Sequence, residues 1–348
     1  MTRTKIAVLV PCRDEATTVA GVVRDFTAVL PGCTVYVFDN NSADDTPRVA
    51  REAGAIVRSV DIPGKGNVVR RMFADVEADV YVLVDGDGTY DPKVAPSMIA
   101  EILESGYDLV NATRVPEGTG AFRSGHTSGN RLLASLVGWM FRRPVGDILS
   151  GYKACSRRLV KSFPVTSAGF EIETELMVHA LELRAPISEV TTSYRPRPEG
   201  SESKLSTWGD GARILHTIVT LVRQGRPLAF FTTLGAILAV AGIALGIPIL
   251  VTFTHTHLVP RLPTAVLATG LEIVAALMIT AGLVLDTVTR GRREFRVLTY
   301  LSIPGPQSET DEHPVQLSMT GDPPSPQSPT SEHPGPGEPD QPATRWLL

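Results

Sequence analysis

The stretch Tyr81–Pro92, reading YVLVDGDGTYDP, limits what this chain can fold into more than any other. The run Val80–Val84 is rich in β-branched and aromatic residues and stops at Asp85, the pattern of a buried strand ending in a polar loop. Asp85 and Asp87 flank Gly86, and Gly88 follows. The glycines permit a tight turn, so both carboxylates can face one point just past the strand end. Open α/β sheets bind ligands at the carboxyl ends of their strands. Two hard oxygen donors with no Cys or His nearby suit Mg²⁺ or Mn²⁺, ions that commonly bridge to a diphosphate. The same letters also serve an Asp-Gly turn closing a hairpin, and Asp-Gly-Asp alone does not choose between the two.

The flanking pattern does choose. Ile6–Val10 reads as a buried strand ended by Pro11, and Val19, Val22, Val23, Phe26 and Leu30 share one face of a helix over 14–30. A second strand, Val35–Phe38, ends at Asp39; a helix over 46–53, a short strand over 56–60 and a helix over 68–75 follow. Strands alternating with helices at this spacing predict an α/β fold with a mainly parallel sheet and helices on both faces. Further on, the pattern predicts a helix over 94–103, a strand over 109–114, a polar loop over 123–129 and a helix over 130–141. A helix over 169–183 carries Glu171, Glu173 and Glu175, candidates for a general base that read more simply as a solvated, partly capped helix face. An edge strand over 190–194 leads into a basic, proline-broken loop, Arg195–Lys204.

Composition then shifts near Arg226 and again near Pro304. Two apolar spans, over 228–253 and 264–285, are each long enough to cross a hydrocarbon core of about 30 Å. Arg223 and Arg226 precede them, while Arg290, Arg292, Arg293 and Arg296 follow, so the positive-inside rule predicts a hairpin with both flanks in the cytoplasm. Glu272 lies inside the second span and reads as an inter-helix hydrogen bond or oligomer contact. Residues 205–223 fit a helix on the membrane surface and, equally, an ordinary helix packed on the sheet. The predicted division is 1–204 α/β domain, 205–226 juxtamembrane helix, 227–289 two membrane helices, 290–303 basic flank and 304–348 a disordered Pro/Ser-rich tail. The N-terminal apolar run is too short for a secretory signal. A net charge of −4 gives no electrostatic case for nucleic acid, and Cys12, Cys33 and Cys155 lack metal spacing and read as reduced thiols.

In a doubly wound sheet, Pro11–Glu15, Asp39–Thr46, Gly64–Asn67 and Asp85–Asp91 would gather on one edge. There Asp39 can hold a base or ribose hydroxyl. The Gly-Lys-Gly turn at Lys65 offers backbone amides and a cation beside a phosphate, although a plain exposed turn reads alike. Neither a GxxxxGK[ST] nor a GxGxxG motif is present, which argues against a P-loop ATPase or a dinucleotide enzyme. Arg114, Arg131, Arg195, Arg197 and Lys204 supply a second, cationic rim, and ahead of two membrane spans they point to an anionic headgroup at the bilayer.

In order and spacing, PCRDEATT, DNNSADDT, GKGNVVRRM and DGDGTYDP resemble the nucleotide-sugar domain of glycosyltransferase family 2. NATR, GNRLLAS, DILSGYKACSRR, FEIETELMVHAL and RPRPEGSESKL resemble its polyprenyl-phosphate branch, which contains the dolichyl-phosphate mannose synthases. The resemblance covers roughly the first two-thirds of the chain. It implies an A-type glycosyltransferase (GT-A) fold, a nucleotide-diphosphate sugar donor and Mg²⁺ or Mn²⁺. It assigns Pro11, Arg13, Glu15 and Asp39 to the nucleotide and Asp85 and Asp87, with Gly86 between, to the metal and diphosphate. Arg114, Arg131, Arg197 and Lys204 go to the phosphates of donor and acceptor. Two departures stand out: Thr89 replaces the Gln of some relatives, and the loop between Arg197 and Lys204 is one residue longer than the shorter form.

The implied reaction is inverting transfer of a hexose, from a GDP-mannose or UDP-glucose type donor, to an undecaprenyl- or dolichyl-type polyprenyl phosphate. The implied setting is the plasma membrane, with catalytic domain and tail cytoplasmic and a homo-oligomer open to the membrane helices. A water-soluble acceptor and a non-catalytic membrane scaffold are the rival readings. A processive synthase is disfavoured, because the only QxxRW-like string, Gln341–Trp346, is one residue too long and lies in the tail.

Overall fold

A computed structural model describes residues 4–117, 126–169, 171–196, 219–220, 223 and 225–306. Arg197, Lys204, most of the helix expected over 205–223 and the tail beyond 306 lie outside the described residues.

The first half alternates strand and helix as its pattern dictates: β1 (Ile6–Cys12), α1 (Val19–Val29), β2 (Thr34–Asp39), α2 (Thr46–Glu52), β3 (Ile56–Ser59), α3 (Lys65–Asp75) and β4 (Val80–Leu83). Then come α4 (Ala95–Leu103), β5 (Leu109–Pro116), α5 (His126–Phe141), β6 (Lys153–Ser156), α6 (Arg157–Ser162), α7 (Ile172–Glu182) and β7 (Ile187–Tyr194). The strands form one seven-stranded sheet in the order β3-β2-β1-β4-β6-β5-β7. Only β6 runs against its neighbours, antiparallel to both β4 and β5; β5 and β7 are parallel. This is the GT-A-like α/β fold with a mainly parallel sheet.

Side chains alternate across the sheet as strand geometry requires. Ala7, Leu9, Phe38, Tyr81 and Leu83 pack on one face against α3, α6 and α7, and Val8, Val10, Val35, Val37, Val80 and Val82 pack on the other against α1 and α4. Three local expectations needed correction. The first helix begins at Val19 rather than 14, because Asp14 takes a left-handed φ of 52° and Glu15 C=O caps the turn by accepting from the Thr18 and Val19 amides. The loop expected to run to 129 gives way to helix at His126. The strand β6 was not anticipated: its four residues, KACS, include a lysine buried completely, and they are too few to show a period.

Two long helices follow: α8 (Pro227–Thr256, 30 residues) and α9 (Leu262–Leu301, 40 residues), with mean hydropathy of 2.6 and 2.0 over their most apolar windows. They meet through small residues. A Cβ on Gly235 would come within 2.9 Å of Ala275 C=O, and one on Gly242 within 2.5 Å of Glu272 Oε1. Glu272 therefore faces α8, with that oxygen unpartnered among the described residues. Outward, Ile237, Val240, Leu250, Leu267, Leu277 and Leu283 are exposed, a surface that water would penalise and lipid would not. The basic flank expected as a separate segment over 290–303 is the continuation of α9, whose Tyr300 is buried in the core of the catalytic domain.

Candidate active site

Strand register gathers the site. Cys12 pairs with Asp39 across β1 and β2, and Leu9 pairs with Leu83 across β1 and β4, so Asp39, Arg13 and Asp85–Asp87 all emerge at one carboxyl edge. The loops there interlock. Asp14 Oδ1 accepts from the Ala43 amide (2.6 Å), Thr46 Oγ1 accepts from the Glu15 amide (2.8 Å), and Asn40 Oδ1 accepts from the Gly64 amide (2.8 Å). Gly86 sits where any side chain would strike Cys12 Sγ, at 2.5 Å from an added Cβ, and its carbonyl accepts from Thr18 Oγ1 at 2.7 Å. The turn between the two carboxylates is thus clamped against β1, beside Pro11.

Lys65 lies at the centre. Its ammonium is 2.5 Å from Asp85 Oδ1 and also contacts Glu173, with only 9% of the side chain exposed. Burial pulls this lysine toward neutrality, but Asp85 and Glu173 more than reverse that and raise its pKa. Burial in turn raises Glu173, against the pull of Lys65. One sequence expectation fails here: Glu173 is a buried ion-pair partner rather than part of a solvated helix face. Of the two readings left open for Lys65, the plain exposed turn does not hold, since the side chain is buried. Two of the three Gly-Lys-Gly amides are engaged within the protein rather than offered to a phosphate: Gly66 donates to Ala168 C=O, and Gly64 to Asn40. Both glycines are needed because Cβ atoms there would come within 2.2 Å of the 167–168 backbone.

Asp87 is buried, and its Oδ1 accepts from Thr89 Oγ1 (2.7 Å) and the Thr89 amide (3.2 Å). Thr89, the departure noted above, orients the second carboxylate. Asp39 is buried at the end of β2 with Oδ1 lacking a partner among the described residues, an acceptor in want of a hydroxyl or N–H donor. Arg13 and Glu15 flank it on the neighbouring loop, the Arg13 guanidinium 3.8 Å from Asp14. Asp85 and Asp87 give a metal two hard oxygens, and no third His, Cys, Asp or Glu joins them among the described residues. The chemistry of these two donors would suit Mg²⁺ or Mn²⁺.

The cationic rim is only partly as expected. Arg114 is bound by Asp147 (Nε–Oδ2 2.6 Å, Nη2–Oδ1 2.9 Å) and lies over the Tyr194 ring at 5.3 Å. Burial works against its charge, yet Tyr90 and Asp147 hold its pKa up. Arg131 is exposed on α5, next to Asn130, which also donates to Asp147 (2.8 Å). Arg195 pairs with Glu117 at 3.5 Å, and its amide donates to Thr89 C=O at 2.9 Å. Sequence reasoning missed Asp147, the tyrosine cluster Tyr90–Tyr152–Tyr194, and Lys153, whose Nζ donates to Asn111 Oδ1 at 2.5 Å and which burial pushes down to about 8. The signal for Glu173 was available: it sits among Ile172, Leu176, Met177 and Ala180 on a helix buried around most of its girth.

Comparison with known proteins agrees with this geometry. The family model "Glycosyl transferase family 2" matches residues 7–162. Glycosyltransferase AglJ of Haloferax volcanii is 33% identical over 244 residues, 70% of this chain and 80% of that one. The dolichyl-phosphate hexose transferase of the same organism is 27% identical over 221 residues, 64% and 95% of the two chains. Among solved structures, glucosyl-3-phosphoglycerate synthase from Mycobacterium tuberculosis, in complex with Mn²⁺, UDP-glucose and glycerol 3-phosphate, superposes with a TM-score of 0.51 at 26% identity, over 63% of this chain and 79% of that one. A sheet edge carrying an Asp-Gly-Asp turn, in a chain with these relatives, identifies the protein as a glycosyltransferase belonging to glycosyl transferase family 2.

Proposed function

We propose that this glycosyltransferase moves a hexose from a nucleoside-diphosphate sugar to the phosphate of a polyprenyl lipid, with inversion at the anomeric carbon. The observation that carries the reading is one chain holding both the Asp85–Lys65–Asp87 site and two helices able to cross a membrane. The likeness to a dolichyl-phosphate hexose transferase supports the lipid acceptor. The solved relative with Mn²⁺ and UDP-glucose supports the donor class and a divalent ion held by Asp85 and Asp87.

The chemistry asks little of a base. A phosphate oxygen of the acceptor, already anionic near neutral pH, forms the bond to the anomeric carbon as the bond to the diphosphate breaks. A nucleoside diphosphate leaves with its electron pair. A divalent ion held by Asp85 and Asp87 would, when bound, neutralise charge on that diphosphate. Asp39 offers its free oxygen to the nucleoside, Thr89 fixes the Asp87 carboxylate, and Lys65 holds Asp85 in one orientation while adding a fixed positive charge. Catalysis is then positioning and electrostatics. In this reading residues 1–204 are a cytoplasmic catalytic domain, α8 and the apolar part of α9 form a plasma-membrane hairpin, and the arginines at both outer ends lie on the cytoplasmic side.

A second reading, transfer to a small phosphorylated acceptor, is favoured by the glycerol 3-phosphate bound in the solved relative. The deciding experiment incubates membranes containing the protein with a polyprenyl phosphate, Mg²⁺ or Mn²⁺, and a panel of radiolabelled nucleotide sugars, then extracts into organic solvent with and without EDTA. Label entering the lipid phase from one donor, and lost on chelation, is the expected result and names the sugar. Label appearing only in a water-soluble product overturns the lipid acceptor.

A further inference from the structure

The cytoplasmic end of α9 is built into the catalytic domain. Tyr300 is 7% exposed and its hydroxyl donates to Asp108, a carboxylate buried completely just before β5. Arg158 grips the same carboxylate with both arms of its guanidinium (Nε–Oδ1 2.6 Å, Nη2–Oδ2 2.7 Å) and lies 4.8 Å over the Tyr300 ring. Ser156 Oγ donates to it as well, at 2.5 Å. One helical turn earlier, Arg296 meets Glu182 at the end of α7 (2.5 Å), with Arg293 at 3.5 Å from the same carboxylate. Glu182 and the active-site Glu173 stand on one helix, nine positions apart, roughly 13 Å at 1.5 Å per residue. A helix that leaves an apolar bundle and enters a protein core without a break transmits both height and rotation.

We propose that Tyr300, Asp108, Arg296 and Glu182 are positioning residues. They make α9 a strut that fixes the carboxyl edge of the sheet at a set height and angle to the bilayer, so that an acceptor phosphate at the membrane surface meets the Asp85–Asp87 turn. A membrane anchor alone would need only a loose connection. A buried tyrosine hydrogen-bonded to a buried carboxylate, backed by a second ion pair on α7, is a joint that resists rotation. The inference rests on the membrane-acceptor reading above, and its test is arranged so that the two fail separately.

The full chain in lipid nanodiscs is assayed on two acceptors: a long-chain polyprenyl phosphate embedded in the bilayer and a short-chain, water-soluble prenyl phosphate. Three proteins are compared: wild type, Tyr300→Phe combined with Arg296→Gln, and a one-alanine insertion after Val288. The insertion turns everything beyond it by about 100° relative to the apolar segment. The expected result is a fall of about tenfold or more in kcat/KM on the embedded acceptor, carried mainly by KM, with the short-chain acceptor used within about twofold of wild type. Equal losses on both acceptors, or no loss on either, overturn the strut and leave the joint a matter of stability alone. If the insertion does not yield folded protein, the milder double variant decides. A wild type that ignores the embedded acceptor overturns the acceptor reading and the strut with it. A wild type that uses it, beside variants that behave alike, overturns only the strut.

Discussion

The two halves of the sheet handle polar groups in opposite ways. In the parallel half, β1 to β4, loop side chains hydrogen-bond to the backbone of the next loop and leave acids pointing off the edge: Asp39 with a free oxygen, Asp85 held at one oxygen by Lys65. In the half containing β5 to β7, charged side chains are bound by other side chains: Arg114 by Asp147, Lys153 by the amide oxygen of Asn111, Arg158 by Asp108. Among the described residues, the first half keeps an unpartnered acid oxygen, on Asp39, at the sheet edge, whereas the second pairs its charges internally. The antiparallel strand β6 contributes to the difference, placing Lys153 and Ser156 between β4 and β5, where they find partners inside the protein.

The sharpest way to break this contrast is Asp87→Ala. It removes a carboxylate facing the proposed metal and diphosphate, and turnover is expected to fall by about a thousandfold with the protein still folded and inserted. Turnover near wild type would remove the metal assignment. In the enclosed half, Arg114→Met leaves Asp147 buried without its guanidinium and should cost about 3–5 kcal/mol in thermal or denaturant unfolding. Adding Asp147→Leu should recover most of that loss; a double variant as unstable as the single would show that the pair does not act as a unit. Glu173→Gln, which joins the halves through Lys65, should cost less, about 1–3 kcal/mol, read as a lowered melting temperature.

The smallest effect is a pH slope. Burial and the nearby Arg296 push His179 down to about 3, so it is neutral in the fold, whereas the unfolded chain takes up a proton near 6.5. The unfolded state therefore binds more protons between those values, and stability is lost as pH falls from 6.5 toward 3. Melting curves of His179→Gln across that window should be flatter than wild type; identical slopes would clear His179 of the acid sensitivity.

The parallel half was legible in the sequence because each of its strands is a compact apolar run ended by a polar turn, and a doubly wound sheet predicted that the loops carrying Asp39, Lys65, Asp85 and Asp87 would gather on one edge. The other half was not, for physical reasons that differ by residue. Lys153 looks like a surface lysine because nothing local announces Asn111, 42 positions away. Glu173 was grouped with Glu171 and Glu175 as one solvated face, whereas at about 100° per residue it lies opposite them, and the partner that buries it lies on α3. The polar flank after the second apolar span gave no sign of being helix, since Arg292, Arg293 and Glu294 hide the single Tyr300 that docks it. Periodicity reports which face of an element is buried; it is silent on ion pairs formed across the fold.

One stitch at the sheet edge carries a thermodynamic obligation. The amide of Arg195, where β7 gives way to the segment that resembles the lipid-phosphate branch, donates to the carbonyl of Thr89, the residue whose hydroxyl holds Asp87. The turn proposed for the donor and the stem of that later segment share a hydrogen bond, so a displacement of either is felt by the other. Linkage then makes the traffic two-way: whatever factor an occupied donor site applies to acceptor affinity, an occupied acceptor site must return to the donor.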